Sequence, residues 1–368
     1  MAGSGPHIVA ELVRGCPAAI DAIAQKSDAS LRFLRASWFD ARRTDTLLGR
    51  HGDGTPFAAM PVAPLRAPLP VGRTLASGYW PFRSPVIASG TPGSAIAALM
   101  AHPLTARALS PLWRLGPTYA DDPAAGALLR GARKAGWTVL TRRLGQIYRL
   151  DLGALMADGD WPRKSTRRSL ARHERRLGER GPPHCRTISG GAWHGDVFDE
   201  LAGIERRSWV ARQGDIGGAK FLTAAQRRPW RRAVADPELA RRLSATILYA
   251  GDHPVAFSFD LQSGHIQYSI ASSYDADFSA CRPGKIVSYR QFREARRRNV
   301  AMVDLGLGDS GYKREMGARR GPDVHDYVVV RHRAVAALLR ARWEGHVPSL
   351  SDDPAPVQPV ASRLDADG

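Results

Sequence analysis

The sequence predicts an α/β fold arranged as two successive halves. The first observation is the alternation of strand-like and helix-like runs along the chain. The second is a turn pattern that occurs once in each half. The third is size, because 368 residues with 43% hydrophobic content can bury two sizeable cores, which excludes a disordered chain.

Each half combines strands of apolar and β-branched residues with helices whose apolar residues recur at helical spacing, separated by turns rich in Gly and Pro. In the first half we predict strands at 56–65, 74–82, 111–118 and 137–152, and helices at 93–105 and 122–136. In the second half we predict helices at 196–214, 223–243, 311–318 and 333–343, another after Pro283, and strands at 244–251, 254–262, 265–275, 301–308 and 325–332. A basic segment, 161–183, joins the halves.

A faint internal repeat relates the two halves. "GDGTPFAAMPV" (52–62) and "GDHPVAFSFDL" (251–261) both place a Gly-Asp turn and a proline before an apolar strand. In each half a basic helix also runs into a strand, as "GARKAGWTVLT" and "REARRRNVAMVDL". Chance similarity of turn residues is one explanation, and tandem duplication of one α/β unit is the other.

The charge of the chain favours anionic partners. There are 53 Lys and Arg residues against 35 Asp and Glu, a formal net charge of +18, and only six of the basic residues are lysines. A surface this basic attracts phosphorylated cofactors, acidic membranes or RNA.

The cysteines and histidines indicate neither a disulfide framework nor a metal site. Cys16, Cys185 and Cys281 are far apart and form no CxxC pair, and His184 and His194 do not complete a ligand set with Cys185. No apolar run approaches 18 residues, and the first residues lack a long apolar segment. We therefore expect no metal, and a cytoplasmic protein that at most touches the inner face of the cytoplasmic membrane.

The stretch "CRPGKIVSYRQFREARRRN" (281–299) places Pro-Gly and a lysine at a predicted helix start, where an acidic or Ser/Asp cap is usual. One interpretation is that an anion is held there by free backbone N–H groups and Lys285. The other is an ordinary loop that enters an ordinary helix.

The motifs that follow this stretch resemble a known family. Residues 251–313 are similar to the core of the CelD-like group of GNAT-superfamily acyltransferases, and the likeness extends over about residues 160–320. The matching pairs, in chain order, are Tyr274-Asp275, Pro283-Gly284, Asp304-Leu305, Gly308-Asp309 and Tyr312-Lys313. The ending around Tyr312 is also similar to that of FemAB-type aminoacyl transferases, which share a doubled GNAT layout.

The resemblance implies two tandem GNAT-like units, each a mixed, mostly antiparallel sheet flanked by helices, the first degenerate. We assign residues 1–152 to the degenerate unit, 153–195 to a basic linker helix, 196–345 to the catalytic unit and 346–368 to a disordered tail. It implies acyl-CoA as co-substrate, with the pyrophosphate on a helix start and the pantetheine between two splayed strands. The Gln/Arg-x-x-Gly-x-Gly/Ala signature of typical GNAT enzymes is replaced here by "RPGK", so the motif defines the fold more closely than the donor.

Site residues follow from this likeness. The residues predicted to bind the donor phosphates are Arg282, Gly284, Lys285, Ile286 and Val287. The structural alternative is that they only form an N-cap turn. N-acyl transfer needs a neutral amine and a proton for the departing thiolate.

For that chemistry we assign Asp309 as base, Tyr312 as acid and Lys313 as a contact to the acyl oxygen or a phosphate. A helix cap, a packing tyrosine and a surface salt bridge are the respective alternatives. For the amine acceptor the predicted wall is formed by Glu205, Trp209, Tyr268, Tyr274 and Asp275, although Tyr274 and Asp275 also fit a structural role in closing the loop.

The run from 163 to 180 carries eight basic residues and no aromatic residue. A solvated linker helix, an anionic membrane surface, and phosphorylated ligands or RNA are the alternatives, and the lack of stacking aromatics counts against RNA.

Three functions remain open at this point. The leading hypothesis is an acyl-CoA-dependent N-acyltransferase of cell-envelope metabolism, acting on a lipid amine such as a sphingoid base or on an amino sugar of an exopolysaccharide. The second is a FemAB-like transfer from aminoacyl-tRNA. The third is a non-catalytic GNAT-like binding module.

Overall fold

The computed structural model describes residues 7–65, 72–77, 79, 82–157, 159, 161–208, 219–309 and 311–345. The strands are β1 (Ile8–Arg14), β2 (Asp45–His51), β3 (Pro56–Pro64), β4 (Arg73–Leu75), β5 (Val86–Ile87), β6 (Leu112–Tyr119), β7 (Thr138–Asp151), β8 (Pro183–Ser189), β9 (Leu243–Ala250), β10 (His253–Ser263), β11 (Ile266–Tyr274), β12 (Met302–Leu307) and β13 (Arg319–Val330). Together they form one sheet within the described residues.

Helices cover both faces of this sheet. They are α1 (Ala19–Lys26), α2 (Gly93–Ala101), α3 (Pro103–Leu109), α4 (Pro123–Lys134), α5 (Leu152–Ala157), α6 (Lys164–Gly178), α7 (Val197–Arg207), α8 (Ala224–Val234), α9 (Pro237–Arg242), α10 (Pro283–Arg297), α11 (Tyr312–Glu315) and α12 (Arg333–Glu344). No helix in the described ranges is both long and apolar enough to cross a membrane.

The two halves of the chain repeat the same strand topology. In the first half β1, β2, β3 and β4 are successive antiparallel neighbours, and β4 pairs in parallel with β6. In the second half β8, β9, β10 and β11 are successive antiparallel neighbours, and β11 pairs in parallel with β12. The turns 52–55 and 251–252, found by the sequence repeat, join β2 to β3 and β9 to β10. The prediction of two tandem units with mixed, mostly antiparallel sheets is therefore confirmed.

The units exchange their last strands. β13, from the end of the second half, lies between β6 and β7, while β7, from the end of the first half, pairs with β12. Each half therefore completes its sheet with a strand from the other half. The predicted boundary near residue 152 follows the end of β7, and the predicted tail 346–368 lies outside the described residues.

An aromatic core joins the units on one face of the sheet. Phe82 of the first half packs on Tyr268 of the second with ring centroids 4.8 Å apart, and Trp38 packs on Trp230 at 6.0 Å. Buried aromatic pairs of this kind stabilise a fold beyond their area alone. The two halves thus share one core rather than folding around two separate ones.

Several elements differ from the sequence expectation. The predicted strand 74–82 is reduced to the three residues of β4. β1, α1, β2 and β8 lie where we predicted no element. β1 and β8 are the outermost strands of the sheet, and their partly exposed residues give only a weak apolar pattern.

A buried carboxylate holds the exchanged strand in place. Asp326 on β13 is 0% exposed and accepts two hydrogen bonds of 2.8 Å from Arg114 on β6. It accepts a third, also 2.8 Å, from Arg142 on β7. One acidic side chain therefore connects three adjacent strands from both halves.

We expect Asp326→Asn to lower the free energy of unfolding by about 3 kcal/mol, because two guanidinium groups lose the charge that compensates their partial burial. Chemical denaturation measures the loss. Asp323→Asn on the same strand is the matched control, since Asp323 is 30% exposed and pairs with Arg143 at the surface, and it should cost at most about 1 kcal/mol. Equal losses in the two variants would contradict this role for Asp326.

Candidate functional site

The parallel strands β11 and β12 separate partway along their length. They pair only at Ile266–Tyr268 with Met302–Asp304. Gly306 and Gly308 follow in β12 and the loop after it, with φ of +76° and +65°, a backbone conformation that side chains disfavour. The gap leaves backbone groups of β11 without a strand partner on that side, and the Ile270 carbonyl accepts a hydrogen bond of 3.0 Å from the Tyr79 hydroxyl instead.

Helix α10 begins beside this gap with little capping. Its N-cap, Arg282, has left-handed dihedrals (φ 49°, ψ 49°) and gives no side-chain cap, and Pro283 occupies the first turn. The amides of Lys285 and Ile286 donate to the Arg282 carbonyl at 3.0 and 3.3 Å. Among the described residues, the Gly284 amide makes no hydrogen bond.

This geometry reduces the number of predicted residues that are free to bind a phosphate at the helix start. Ile286 and Val287 are 1% and 0% exposed and belong to the core beneath the helix. Because the Ile286 amide is already used inside the first turn, the backbone contribution reduces to Gly284. Gly284 also has a packing reason, since a Cβ there would lie 3.2 Å from Cδ1 of Tyr274.

Two cations of α6 and two of the helix start act on the same side chain. The pKa of His173 on α6 is lowered, first by burial and then by Arg172, Lys285, Arg282 and Arg176. Helix α6 is fixed against α10 by Glu174, which accepts from Arg290 at 2.9 Å. The basic linker helix predicted from sequence therefore packs beside α10, and its Arg172 and Arg176 act on the same histidine as the cations of the Pro-Gly turn.

The segment after β12 is held by Asp309 and Lys313. Asp309 accepts from the amides of Gly311 and Lys313 at 2.8 and 3.1 Å and from Arg314 Nε at 2.5 Å. Lys313 Nζ donates to the carbonyls of Gly306, Leu307 and Gly308 at 3.0, 2.9 and 2.6 Å. These contacts match the helix-cap interpretation of Asp309. They also show that Lys313 binds backbone carbonyls of its own segment and does not form a surface ion pair. The catalytic roles assigned to Asp309 and Lys313 remain predictions.

Glu315, on the same short helix as Tyr312, lies beside the start of α10. Tyr312 is 46% exposed, and its pKa is raised by partial burial of the hydroxyl and by the nearby Asp309. Glu315 lies 3.9 Å from Lys285 Nζ. The short helix α11 is thus adjacent to the cationic turn, with a protonated phenol on its accessible side.

Among the residues predicted to bind the acceptor, Glu205 and Asp275 are engaged in structural hydrogen bonds, whereas Tyr268 lies where β11 and β12 part. Glu205 is buried and accepts from the amides of Lys220 and Phe221 at 2.9 and 2.7 Å, which anchors that loop. Asp275 caps the turn before α10; burial alone would raise its pKa, but hydrogen bonds from Arg207 and His253 outweigh this and lower it. Trp209 lies outside the described residues.

Tyr268 marks the point where β11 and β12 part, directly opposite Asp304. Asp304 is 1% exposed, and its carboxylate accepts from the Gly306 amide at 2.8 Å and from Arg149 Nε at 3.4 Å. Burial raises the pKa of Asp304, while Arg149 and the hydrogen bonds from Gly306 and Tyr119 act against it.

Tyrosines from both halves enclose this acid. The rings of Tyr119 and Tyr268 stack 6.3 Å apart, and the Arg149 guanidinium lies 5.7 Å from the Tyr119 ring centroid. Burial and Asp304 raise the pKa of Tyr268, so its phenol stays protonated. Asp304 belongs to one of the motifs that resemble the family, but no catalytic or binding role was predicted for it from the sequence. A lone acid within an apolar strand was the signal that could have identified it.

Comparison with known proteins agrees with this geometry. Residues 164–314 match the family model described as an acetyltransferase (GNAT) domain. This segment of the second half is therefore similar to a GNAT acetyltransferase domain. No curated protein sequence matches the chain.

Solved structures extend the likeness over most of the chain. The C-terminal domain of a putative lysylphosphatidylglycerol synthetase from Agrobacterium fabrum is 16% identical, with 90% of this chain and 97% of that chain covered at a TM-score of 0.51. L-PGS from Bacillus licheniformis is 11% identical, with 90% and 97% covered at a TM-score of 0.53. FemX is 10% identical, with 81% and 90% covered at 0.54. At these identities the likeness shows the fold alone, and membership of the CelD-like group stays a prediction.

No group of three or more His, Cys, Asp or Glu side chains gathers at a metal-binding distance in the part of the chain that the structure describes. The polar groups of the GNAT domain instead converge on the cationic helix start and on the Asp304 cluster.

The burial of Lys313 gives a pH-dependent stability. Its pKa is lowered from 10.5 to about 8 by burial, against the attraction of Asp304 and Asp309. Between these two values the unfolded chain binds a proton that the folded chain has released, so this lysine makes the free energy of unfolding rise with pH.

We therefore expect the unfolding free energy of wild type, minus that of Lys313→Met, to increase between about pH 8 and pH 10, by up to about 1.4 kcal/mol per pH unit. Urea denaturation at a series of pH values measures it. Lys134→Met, at an exposed position on α4, is the control and should show no such growth. A difference that stays constant with pH would contradict the lowered pKa.

Proposed function

We propose that this protein is an acyl-CoA-dependent N-acyltransferase that transfers an acyl group from a thioester to a primary amine in cell-envelope metabolism. The observation that carries the proposal is the parting of β11 and β12 beside a helix start that carries Arg282 and Lys285, within a segment that matches the acetyltransferase (GNAT) family model. The acceptor classes that we propose are a lipid amine such as a sphingoid base and an amino sugar of an exopolysaccharide.

The cationic turn is the proposed site for the donor's phosphates. The unpaired Gly284 amide, the Lys285 ammonium and the Arg282 guanidinium supply donors of the kind that bind pyrophosphate. Arg172 and Arg176, on the neighbouring helix α6, add positive charge to this region. The thioester end would then enter the gap toward Asp304.

Asp304 is the proposed general base in place of Asp309, whose carboxylate accepts from two local amides and from Arg314. Because its pKa is raised by burial, its carboxylate is a better proton acceptor near neutral pH than an ordinary aspartate. The amine attacks the thioester carbonyl carbon, the C–S bond breaks, and the amine's extra proton passes to Asp304. The thiolate takes a proton in turn, and Tyr312, with its raised pKa, is the proposed donor.

The exposed face of α6 supports a proposed contact with an anionic membrane. Lys164, Arg168 and Arg175 are exposed on this helix, beyond the residues that face the donor turn. Basic side chains on one helix gain affinity for an anionic leaflet from each charge near its surface. Such a contact would bring the protein to the inner face of the membrane, where a lipid amine is available.

Donor binding is tested with purified protein and acyl-CoAs of graded chain length, followed by thermal shift and calorimetry. Lys285→Ala should weaken acyl-CoA binding about tenfold, because it removes one charge-assisted hydrogen bond to phosphate. Lys134→Ala serves as the matched control and should leave binding unchanged.

Absence of binding by every CoA ester would contradict the proposal. If aminoacyl-tRNA binds in their place, a FemAB-like transfer replaces it.

Catalysis is tested with Asp304→Asn in a free-thiol release assay with candidate amines. We expect kcat to fall about 10²- to 10⁴-fold with the Kd for acyl-CoA within twofold of wild type, since the base acts on the amine rather than on the donor. The acidic limb of the pH–rate profile should disappear.

Asp121→Asn is the control, since the 54% exposed Asp121 contacts the same Arg149 from the solvent side. A kcat unchanged in Asp304→Asn would exclude this residue as base. Binding of acyl-CoA without thiol release for any amine would favour a binding module.

A further inference from the structure

The first half contains a cavity that the proposed acyl transfer does not use. It has a volume of about 720 Å³ and opens where β1 ends, β2 begins and β3 and β4 pair. This volume lies within the range of sites for small molecules. Its charged lining residues are Arg14, Asp40, Arg42, Arg43, Asp45, Arg73 and Arg83.

The arginines reach this cavity from separate parts of the chain. Arg14 ends β1, Arg42 and Arg43 lie in the turn before β2, Arg73 begins β4, and Arg83 follows later. A single basic run is usually a solvated surface, but arginines that are distant in sequence and meet at one concave surface form a defined cationic site.

The two aspartates do not neutralise this site. Asp45 is 3.3 Å from Arg73 and offsets that charge. Asp40 instead pairs with Arg228 at 3.2 Å and Arg232 at 3.8 Å, both of which lie outside the cavity lining.

Among the described residues, the other four cavity arginines have no carboxylate within 4.0 Å. They are Arg14, Arg42, Arg43 and Arg83.

Arg83 is the most informative of the four. Its Nη1 donates to the Gly116 carbonyl at 3.4 Å, and burial, with Arg114 nearby, lowers its pKa, while the charge of Asp326 acts in the opposite direction. Because Asp326 is already bound by Arg114 and Arg142, the partly buried Arg83 guanidinium has no carboxylate of its own. An anion in the cavity would supply the compensating charge.

We propose that this cavity binds the phosphate group of a small molecule of nucleotide or sugar-phosphate size. The guanidinium fork matches two phosphate oxygens at once, and several forks from different directions favour a doubly charged group over a single carboxylate. The described lining residues all belong to 14–83, and none of Arg282, Gly284 and Lys285 contributes. The site is therefore separate from the proposed donor site and does not depend on acyl transfer.

Calorimetric titration with uridine diphosphate at low ionic strength tests the proposal. The variants are Arg42→Ala/Arg43→Ala, Lys285→Ala and, as a matched surface control, Arg340→Ala on α12. Arg42 and Arg43 are exposed, so their removal should leave the thermal midpoint unchanged. We expect the double variant to bind uridine diphosphate at least tenfold more weakly, with the other two within twofold of wild type.

The proposal is overturned if wild type binds neither uridine diphosphate nor phosphatidylglycerol vesicles, if the double variant and Arg340→Ala weaken binding equally, or if weakening is confined to Lys285→Ala. The last would assign the nucleotide to the donor turn. If the double variant alters the thermal midpoint, Arg43→Glu replaces it, and unchanged affinity there would likewise reject the site. Because no acyl-CoA is used, failure of the proposed acyl transfer leaves this result interpretable.

The phosphate could belong to a soluble molecule or to a lipid headgroup. A parallel titration with phosphatidylglycerol vesicles distinguishes the two sources. Binding of uridine diphosphate that is sensitive to the double variant assigns a soluble ligand, and vesicle binding with the same sensitivity assigns a headgroup. Either pattern supports a phosphate site at these arginines. If the double variant changes the binding of neither uridine diphosphate nor vesicles, the site is rejected.

Discussion

The exchange of β7 and β13 is the constraint on which the rest of the structure depends. Neither half can complete its sheet alone, because the strand next to β6 comes from the second half and the strand next to β12 comes from the first. The buried Asp326 carboxylate holds guanidinium groups of both neighbouring strands. A chain joined in this way folds as one unit, since opening either half would expose strand edges of both.

The same exchange assembles the candidate active site. β7 pairs with β12 so that Arg149 stands opposite Asp304, and the ion pair at the parting of the strands therefore uses one residue from each half. The first half also supplies Tyr119, which stacks on Tyr268, and Tyr79, whose hydroxyl donates a hydrogen bond to the Ile270 carbonyl. A second half cut off at residue 152 would lack these groups. The degenerate half thus shapes the site without containing it.

The sequence predicted the repeated layout well because it depends on local patterns. The Gly-Asp turns and the apolar strands after them lie where expected, and the parallel pair with its intervening helix follows from the family resemblance. The exposed edge strands β1 and β8 were not predicted, since half-exposed strands show little contrast between their faces.

Side-chain roles were harder to assign. Asp309 and Lys313 form a recognisable motif, yet their hydrogen bonds are local, to neighbours within seven residues. The partner of Asp304 is Arg149, 155 residues away, and only the strand exchange brings the two together. Long-range pairs of this kind leave no trace in a single sequence, whereas a helix cap does.

The repeat itself supplies an internal comparison for the donor site. In the first half the helix between the parallel strands also begins at Pro-Gly, as "TPGSAIAALMA" (91–101), with Pro92 as its N-cap. That segment contains no basic residue, while the equivalent turn of the second half reads Arg282-Pro283-Gly284-Lys285. The Pro-Gly start is thus a property of the fold, and the flanking cations are specific to the second half. If Pro-Gly served packing alone, both turns would tolerate the same neighbours. The concentration of charge at one of them supports the proposed donor site at that turn and not at the turn of the first half.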